Sequence, residues 1–132
     1  MRILQFGFEE GSRSNHLPHN FCHNTVVYTG THDNDTFMGW HKSVDERVRT
    51  TIAKYAGEPS EPAPWNAIRL ALGSVADLAI IPAQDLLALG NEARMNFPGK
   101  ASGNWAWRLK PGALLNELSK RLLELNRSYG RI

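Results

Sequence analysis

Apolar positions along the chain change period several times, and each change marks an element. Arg2-Ile3-Leu4-Gln5-Phe6-Gly7-Phe8 is an apolar run of strand length at the very start. Residues 9–24 show no apolar period and read as a polar loop, and loops of that length in compact domains tend to be functional. Val26-Val27-Tyr28 is short, β-branched and aromatic, which predicts a buried strand, with Gly30 letting the backbone turn just after it. Ser43 and Glu46 have the spacing of a capping box and start a helix that should run to about Ala56. Val48, Ile52, Tyr55 and Ala56 are its buried stripe and Gly57 its stop. The prolines at 59, 62 and 64 make residues 58–64 a stiff connector. A second helix follows from near Pro64 with Trp65, Ile68 and Leu72 inward, then a buried strand at Leu78-Ala79-Ile80-Ile81 closed by Pro82. Asp85 or its neighbour caps a short turn through Leu89, stopped at Gly90. The last element is a helix from about Pro111 to Tyr129, with Leu115, Leu118, Leu122 and Leu125 as one stripe and its Lys and Arg facing water. The order strand, strand, helix, helix, strand, helix is that of an α/β protein.

Composition narrows the class. With 132 residues, 42% hydrophobic and 21% charged, the chain has globular composition and apolar matter for one ordinary core. No apolar run reaches the ~18 residues that argue a membrane-spanning helix, so no membrane partner is expected. The net charge of +2 hides an acidic body and a basic tail, since residues 100–132 hold 7 Lys and Arg against 2 acids. Basic residues interspersed along a helix are usually a solvated face, so no nucleic-acid partner is expected. Cys22 is the one cysteine; it excludes an internal disulfide and suits a reducing, cytoplasmic compartment. An apolar run beginning at the first residue suggests a chain cut from something longer, or a start read at an internal methionine.

Candidate chemistry concentrates in two stretches. The first is Thr29-Gly30-Thr31-His32-Asp33-Asn34-Asp35-Thr36, which puts a histidine and two acids just past the carboxyl end of a predicted strand. In parallel α/β folds that end faces the ligand crevice. Asp33-x-Asp35 resembles the start of haloacid-dehalogenase-like phosphatases, but Gly30-Thr31-His32 interrupts the apolar approach and no later acidic pair is available to hold magnesium. A calcium loop fails at its twelfth position, where Val44 stands in place of a bidentate Glu. The plainest alternative is a polar turn in which Asp33 or Asn34 bonds its own backbone. His16, His19, Cys22 and His23 lack a closed zinc spacing, so no metal is expected and the histidines are read as facing solvent or substrate. The second stretch, Asn91 to Arg108, interleaves amides and arginines with aromatics and glycines, a mixture suited to the hydroxyls and apolar ring faces of sugars. Taken singly, Trp105 and Trp107 are expected to pack inward, and Arg94 or Arg108 to pair with a loop acid.

Five blocks then carry a resemblance. Met1-Arg2-Ile3-Leu4-Gln5-Phe6, Leu17-Pro18-His19-Asn20, Tyr28 to Thr36, Gly90-Asn91-Glu92-Ala93-Arg94-Met95-Asn96 and Ser102 to Arg108 resemble, in order, those of the 4-α-glucanotransferases (amylomaltases, disproportionating enzymes) of glycoside hydrolase family 77. The resemblance covers the C-terminal part of the family's enzyme and implies that residues 1–132 are one piece of a (β/α)8 TIM barrel. Residues 1–8, 25–31 and 77–82 would be its last three strands and residues 111–129 its last helix.

What the resemblance implies about activity is transfer of α-1,4-glucan segments between malto-oligosaccharides by a retaining mechanism, without cofactor or metal. Such chemistry uses a carboxylate nucleophile and a carboxylic acid/base, which in the family lie upstream of the block where this chain begins. Asp33 matches the third carboxylate, which grips the 2- and 3-hydroxyls of the reacting sugar. His32 matches a histidine donating to the same hydroxyls, and Asn96 a glucan-contacting asparagine. Asp35 inherits no catalytic role and is expected to hold the loop. The expected partners are a malto-oligosaccharide or a starch- or glycogen-type glucan and the missing N-terminal part of the barrel. Alone, the chain is expected to be inactive. The alternative is a non-catalytic α-glucan-binding module or complementing subunit.

Overall fold

A computed structural model describes residues 1–57 and 61–132. Part of the proline-rich connector, Glu58 to Ser60, therefore lies outside the described residues. Three short strands, β1 (Arg2–Ile3), β2 (Val26–Tyr28) and β3 (Leu78–Ile80), form one sheet in the order β1-β2-β3, all parallel. Parallel neighbours need crossover connections. The first crossover holds α1 (Leu4–Glu10) and the second holds α2 (Phe37–Ser43), α3 (Glu46–Ala56) and α4 (Ala63–Leu72). After β3 come α5 (Ala83–Leu86) and, at the end, α6 (Asn116–Ser128).

Successive strand side chains point to opposite faces, and here the two faces have different fates. Val27 is fully buried and packs with Leu4, Phe8, Phe37, Trp40, Ile52 and Ala71 from the helices, while Ala79, its register partner, packs against the same cluster. On the other face Leu78 and Ile80 are 51% and 39% exposed. The expectation that residues 78–81 form a buried strand is thus corrected: this strand is covered on one side only.

Further expectations change. The opening apolar run is a strand only at Arg2–Ile3; Leu4 to Glu10 are helical. Leu4 and Phe8 stand four apart and both enter the core, so the run satisfies a helical stripe as well as a strand, and packing decides. Gly7 lets residues 16 and 17 lie against that helix, since a Cβ there would sit 2.8 Å from the His16 carbonyl oxygen. Ser43 is no N-cap. It ends α2, with its hydroxyl donating to the Trp40 carbonyl, and the cap of α3 is Asp45, which accepts from the Val48 amide at 2.9 Å. Gly57 does stop α3, in the left-handed conformation. The last helix begins at Asn116, because the turn at Pro111 and Gly112 delays it. Leu115 is 59% exposed and outside the stripe, leaving Leu118, Leu122 and Leu125 to dock on Trp65, Ile68 and Leu72 of α4. One of the basic residues of α6 also turns inward: the Arg121 guanidinium lies 3.6 Å above the Trp65 ring and 2.9 Å from Glu61. Among the described residues, no helix is long and apolar enough to cross a membrane.

Candidate functional site

The loop after β2 is built by its own side chains. Asn34 Oδ1 accepts from the Thr31 amide at 2.9 Å and from the Thr31 hydroxyl at 2.7 Å, which closes a turn, and Thr36 caps α2 by accepting from the Gly39 amide. The local bonding foreseen for Asp33 or Asn34 therefore belongs to Asn34. Asp35 holds the loop from below. Its carboxylate accepts from the Thr36 amide and from Asn91 Nδ2, both at 2.8 Å, and its carbonyl accepts from Gln5 Nε2 at 2.9 Å. Gly39 makes room for it, since a Cβ there would come within 2.6 Å of both carboxylate oxygens.

Asp33 stands at the tip with its side chain 54% exposed. Asn96 Nδ2 donates to Asp33 Oδ1 at 2.6 Å, and His32 Nε2 lies 3.4 Å from the same oxygen. The three sequence-predicted site residues thus come together, although 63 positions separate Asp33 from Asn96. Two main-chain ties hold the loops in register. The Asn96 amide donates to the His32 carbonyl at 3.1 Å. Arg94 donates at 2.8 Å to the Asp33 carbonyl through Nη2 and to the Asn96 carbonyl through Nε. Arg94 therefore clamps backbone rather than pairing with a loop acid, and Arg108 likewise donates to the carbonyls of Trp105 and Trp107. A charged donor on a carbonyl is stronger than a neutral one, so this register is stiff.

Trp105 corrects a second expectation. It does not pack inward: it is 51% exposed, has a φ of 60°, and lies with its ring 4.9 Å from that of His32. Trp107 is half-buried. A groove of about 390 Å³ includes the site in its lining, with Tyr28, Thr31, His32, Asp33, Ile80 and Pro82 among its residues. It combines an apolar wall with a few convergent polar groups, the usual make-up of a small-molecule site.

The histidines of the first loop are scattered. His16, half-buried, accepts at Nδ1 from the Ile3 amide; His19 is exposed while bonding the Tyr55 hydroxyl and the Ser12 carbonyl, and His23 stands largely in solvent, 3.9 Å from Asp77. Among the described residues no three His, Cys, Asp or Glu side chains are grouped to hold a metal ion. The sequence suggests Asp85 or its neighbour as the cap of a short turn; Pro82 stands at that cap instead, and Asp85 is a buried acid, 1% exposed. Burial pushes its carboxyl up, opposed by hydrogen bonds from Thr29 and Phe37 and assisted by the charge of Asp35. Gln5, also buried, was not singled out. An acid directly after a strand and turn was the available signal for Asp85, but nothing in the order of residues brings it to Thr29, 56 positions away.

The chain as a whole is similar to known proteins. The family model described as 4-α-glucanotransferase matches residues 1–115. The 4-α-glucanotransferase of Thermus thermophilus is 46% identical over 140 residues, covering 100% of this chain and 28% of the relative. The chloroplastic/amyloplastic 4-α-glucanotransferase of Arabidopsis thaliana is 45% identical over 138 residues, covering 100% of this chain and 24% of its own length. An amylomaltase from Streptococcus agalactiae, solved in complex with acarbose, superposes with a TM-score of 0.93 at 32% identity over 98% of this chain and 27% of that one. The chain spans about a quarter of the length of the curated relatives it matches. With a family match across most of its residues and a parallel α/β architecture that superposes on a solved member, the chain belongs to the 4-α-glucanotransferases of glycoside hydrolase family 77.

Proposed function

We propose that these residues supply the transition-state-gripping corner of a 4-α-glucanotransferase active site, within the last three strands of a (β/α)8 barrel. The observation that carries the reading is the convergence of His32, Asp33 and Asn96 on one carboxylate oxygen, at the carboxyl end of a parallel strand and beside an open groove. The substrate is an α-1,4-glucan. The nucleophile and acid/base come from the part of the barrel outside this chain. Asp33 accepts hydrogen bonds from the 2- and 3-hydroxyls of the sugar at the cleavage point, and these strengthen as the ring flattens and positive charge develops. His32 and Asn96 hold the Asp33 carboxylate in place and present N–H donors to the same sugar. Asp35 is not the second member of a catalytic pair, because both of its oxygens are already engaged in the loop. Cys22, free and exposed, suits a reducing compartment, and a cytoplasmic location is part of this reading.

The test is a chimera of full family length, in which residues 1–132 replace the matching segment of the Thermus thermophilus relative. Disproportionation of maltotriose by the chimera should fall by about 10²–10³-fold on Asp33→Asn, the scale seen when one pre-organised transition-state contact is lost. Near-normal turnover would sink the role given to Asp33.

A second reading, a complementing subunit or glucan-binding module, is favoured by the open face carrying Leu78 and Ile80. Titrating the isolated chain with malto-oligosaccharides separates the two: saturable binding by a folded chain supports a module, and none supports the barrel piece.

A further inference from the structure

Asp85 is the buried acid that the proposed chemistry does not use. It sits in the first turn of α5, directly after β3, with 1% of its surface exposed. Its two oxygens are divided between two donors: Oδ2 accepts from the Thr29 hydroxyl at 2.5 Å and Oδ1 from the Phe37 amide at 2.8 Å. Thr29 lies four residues before Asp33 and Phe37 four residues after it. One carboxylate therefore bridges both feet of the loop whose tip is Asp33, and fixes them to the next strand's segment. Its neighbour Gln84 makes a single tie to the second loop, donating to the Ala93 carbonyl at 3.3 Å.

A buried carboxylate is a poor choice for stability alone, because its desolvation is costly and an apolar residue of similar volume often serves as well or better. What it offers is two polar oxygens in a fixed plane, one for the Phe37 amide and one for the Thr29 hydroxyl, which no apolar side chain can supply. We infer that Asp85 is a positioning residue for Asp33, setting the height and tilt of the Asp33 loop by clamping Thr29 and Phe37 together. This rests on the reading of Asp33 as the group that grips the reacting sugar. Under that reading a displaced loop weakens contacts made in the transition state more than those made with bound substrate, so the clamp acts on kcat rather than KM.

The chimera described above is the vehicle, with Asp85→Leu as the variant: it keeps much of the volume but offers no acceptor to the Phe37 amide and no partner to the Thr29 hydroxyl. Expected are a kcat lower by about 10–100-fold with KM within about threefold, as for a small misplacement of a catalytic group. Amide hydrogen exchange should speed up in residues 30–36 and stay unchanged in α3 and α6. Unchanged kcat, KM moving in step with kcat, or exchange accelerating equally throughout the chain would each overturn the inference. If Asp85→Leu does not yield folded protein, Thr29→Val, which removes one donor to the same carboxylate, is judged by the same readouts. Asp33→Asn is run beside it: normal turnover in that variant indicts the reading of Asp33, whereas a dead Asp33→Asn with an unaffected Asp85→Leu indicts the clamp alone.

Discussion

Asp33, Asp35 and Asp85 are three acids within one small region, and their surroundings assign them different work. Asp33 is more than half exposed and shares one oxygen between Asn96 and His32. Asp35 spends both oxygens on the loop. Asp85 is buried, and burial raises its carboxyl above the ordinary range, with Asp35 the acid that adds to the effect. A raised folded-state value means that the fold favours the protonated form. The stability Asp85 contributes is then fully present below the unfolded value of about 3.9 and is lost as pH rises through the raised one. Asp85→Asn removes that dependence. Melting temperatures of the chimera and its Asp85→Asn variant, followed from about pH 8 down to about pH 4, should show the parent gaining on the variant as pH falls. Parallel curves would mean that the acid does not titrate differently in the folded state.

At the scale of elements, α4 is the hub. It is buried along most of its length, with Pro64, Trp65, Asn66, Ala67, Ile68, Ala71 and Leu72 all inside, so it reads as a core helix rather than a surface one. The final helix is attached to it by a narrow stripe of which only Leu125 is buried, while Leu118 and Leu122 are half-covered. Leu125→Ala should cost about 2 kcal/mol, the low end of the range for a core leucine, because much of its surroundings is already near water. The expected signature is faster amide exchange confined to α6; faster exchange in α4 and the sheet as well would show that α6 is integral to the core. Elements also explain where the pattern of apolar residues misled. Leu4 and Phe8 fit both a two-residue and a four-residue spacing, and only the helix presents both to Val27 and Trp40.

For the whole molecule the sheet is the telling feature. Three parallel strands leave β1 and β3 each with one unpaired edge among the described residues, and the face bearing Leu78 and Ile80 is open. Parallel sheets are ordinarily covered on both faces, and open edges invite pairing with other chains. The 132-residue chain expressed alone should therefore self-associate, which sedimentation velocity would detect, and adding the matching N-terminal portion of the Thermus thermophilus relative should convert it to a discrete complex. A stable monomer with the open face intact would contradict the barrel-piece reading.

Much of this was legible in the order of residues. Val26–Tyr28, the stop at Gly57, the α/β order and the grouping of His32 and Asp33 in one loop all rest on local preferences: β-branched runs, left-handed glycine and turn-forming Asn and Asp. The blocks that resemble the family also pointed to Asn96. Three things were decided only by tertiary structure. Whether Leu4–Glu10 is strand or helix depended on what lay opposite it. Whether Trp105 is buried depended on the course of a loop whose ends are tied by Arg94 and by the Met95 carbonyl, which accepts from the Trp105 amide. The clamp at Asp85 depended on a contact across 56 positions, invisible to any local rule because it exists only once β2 and β3 are paired. Local sequence determines which shapes a segment can take, and long-range packing chooses among them.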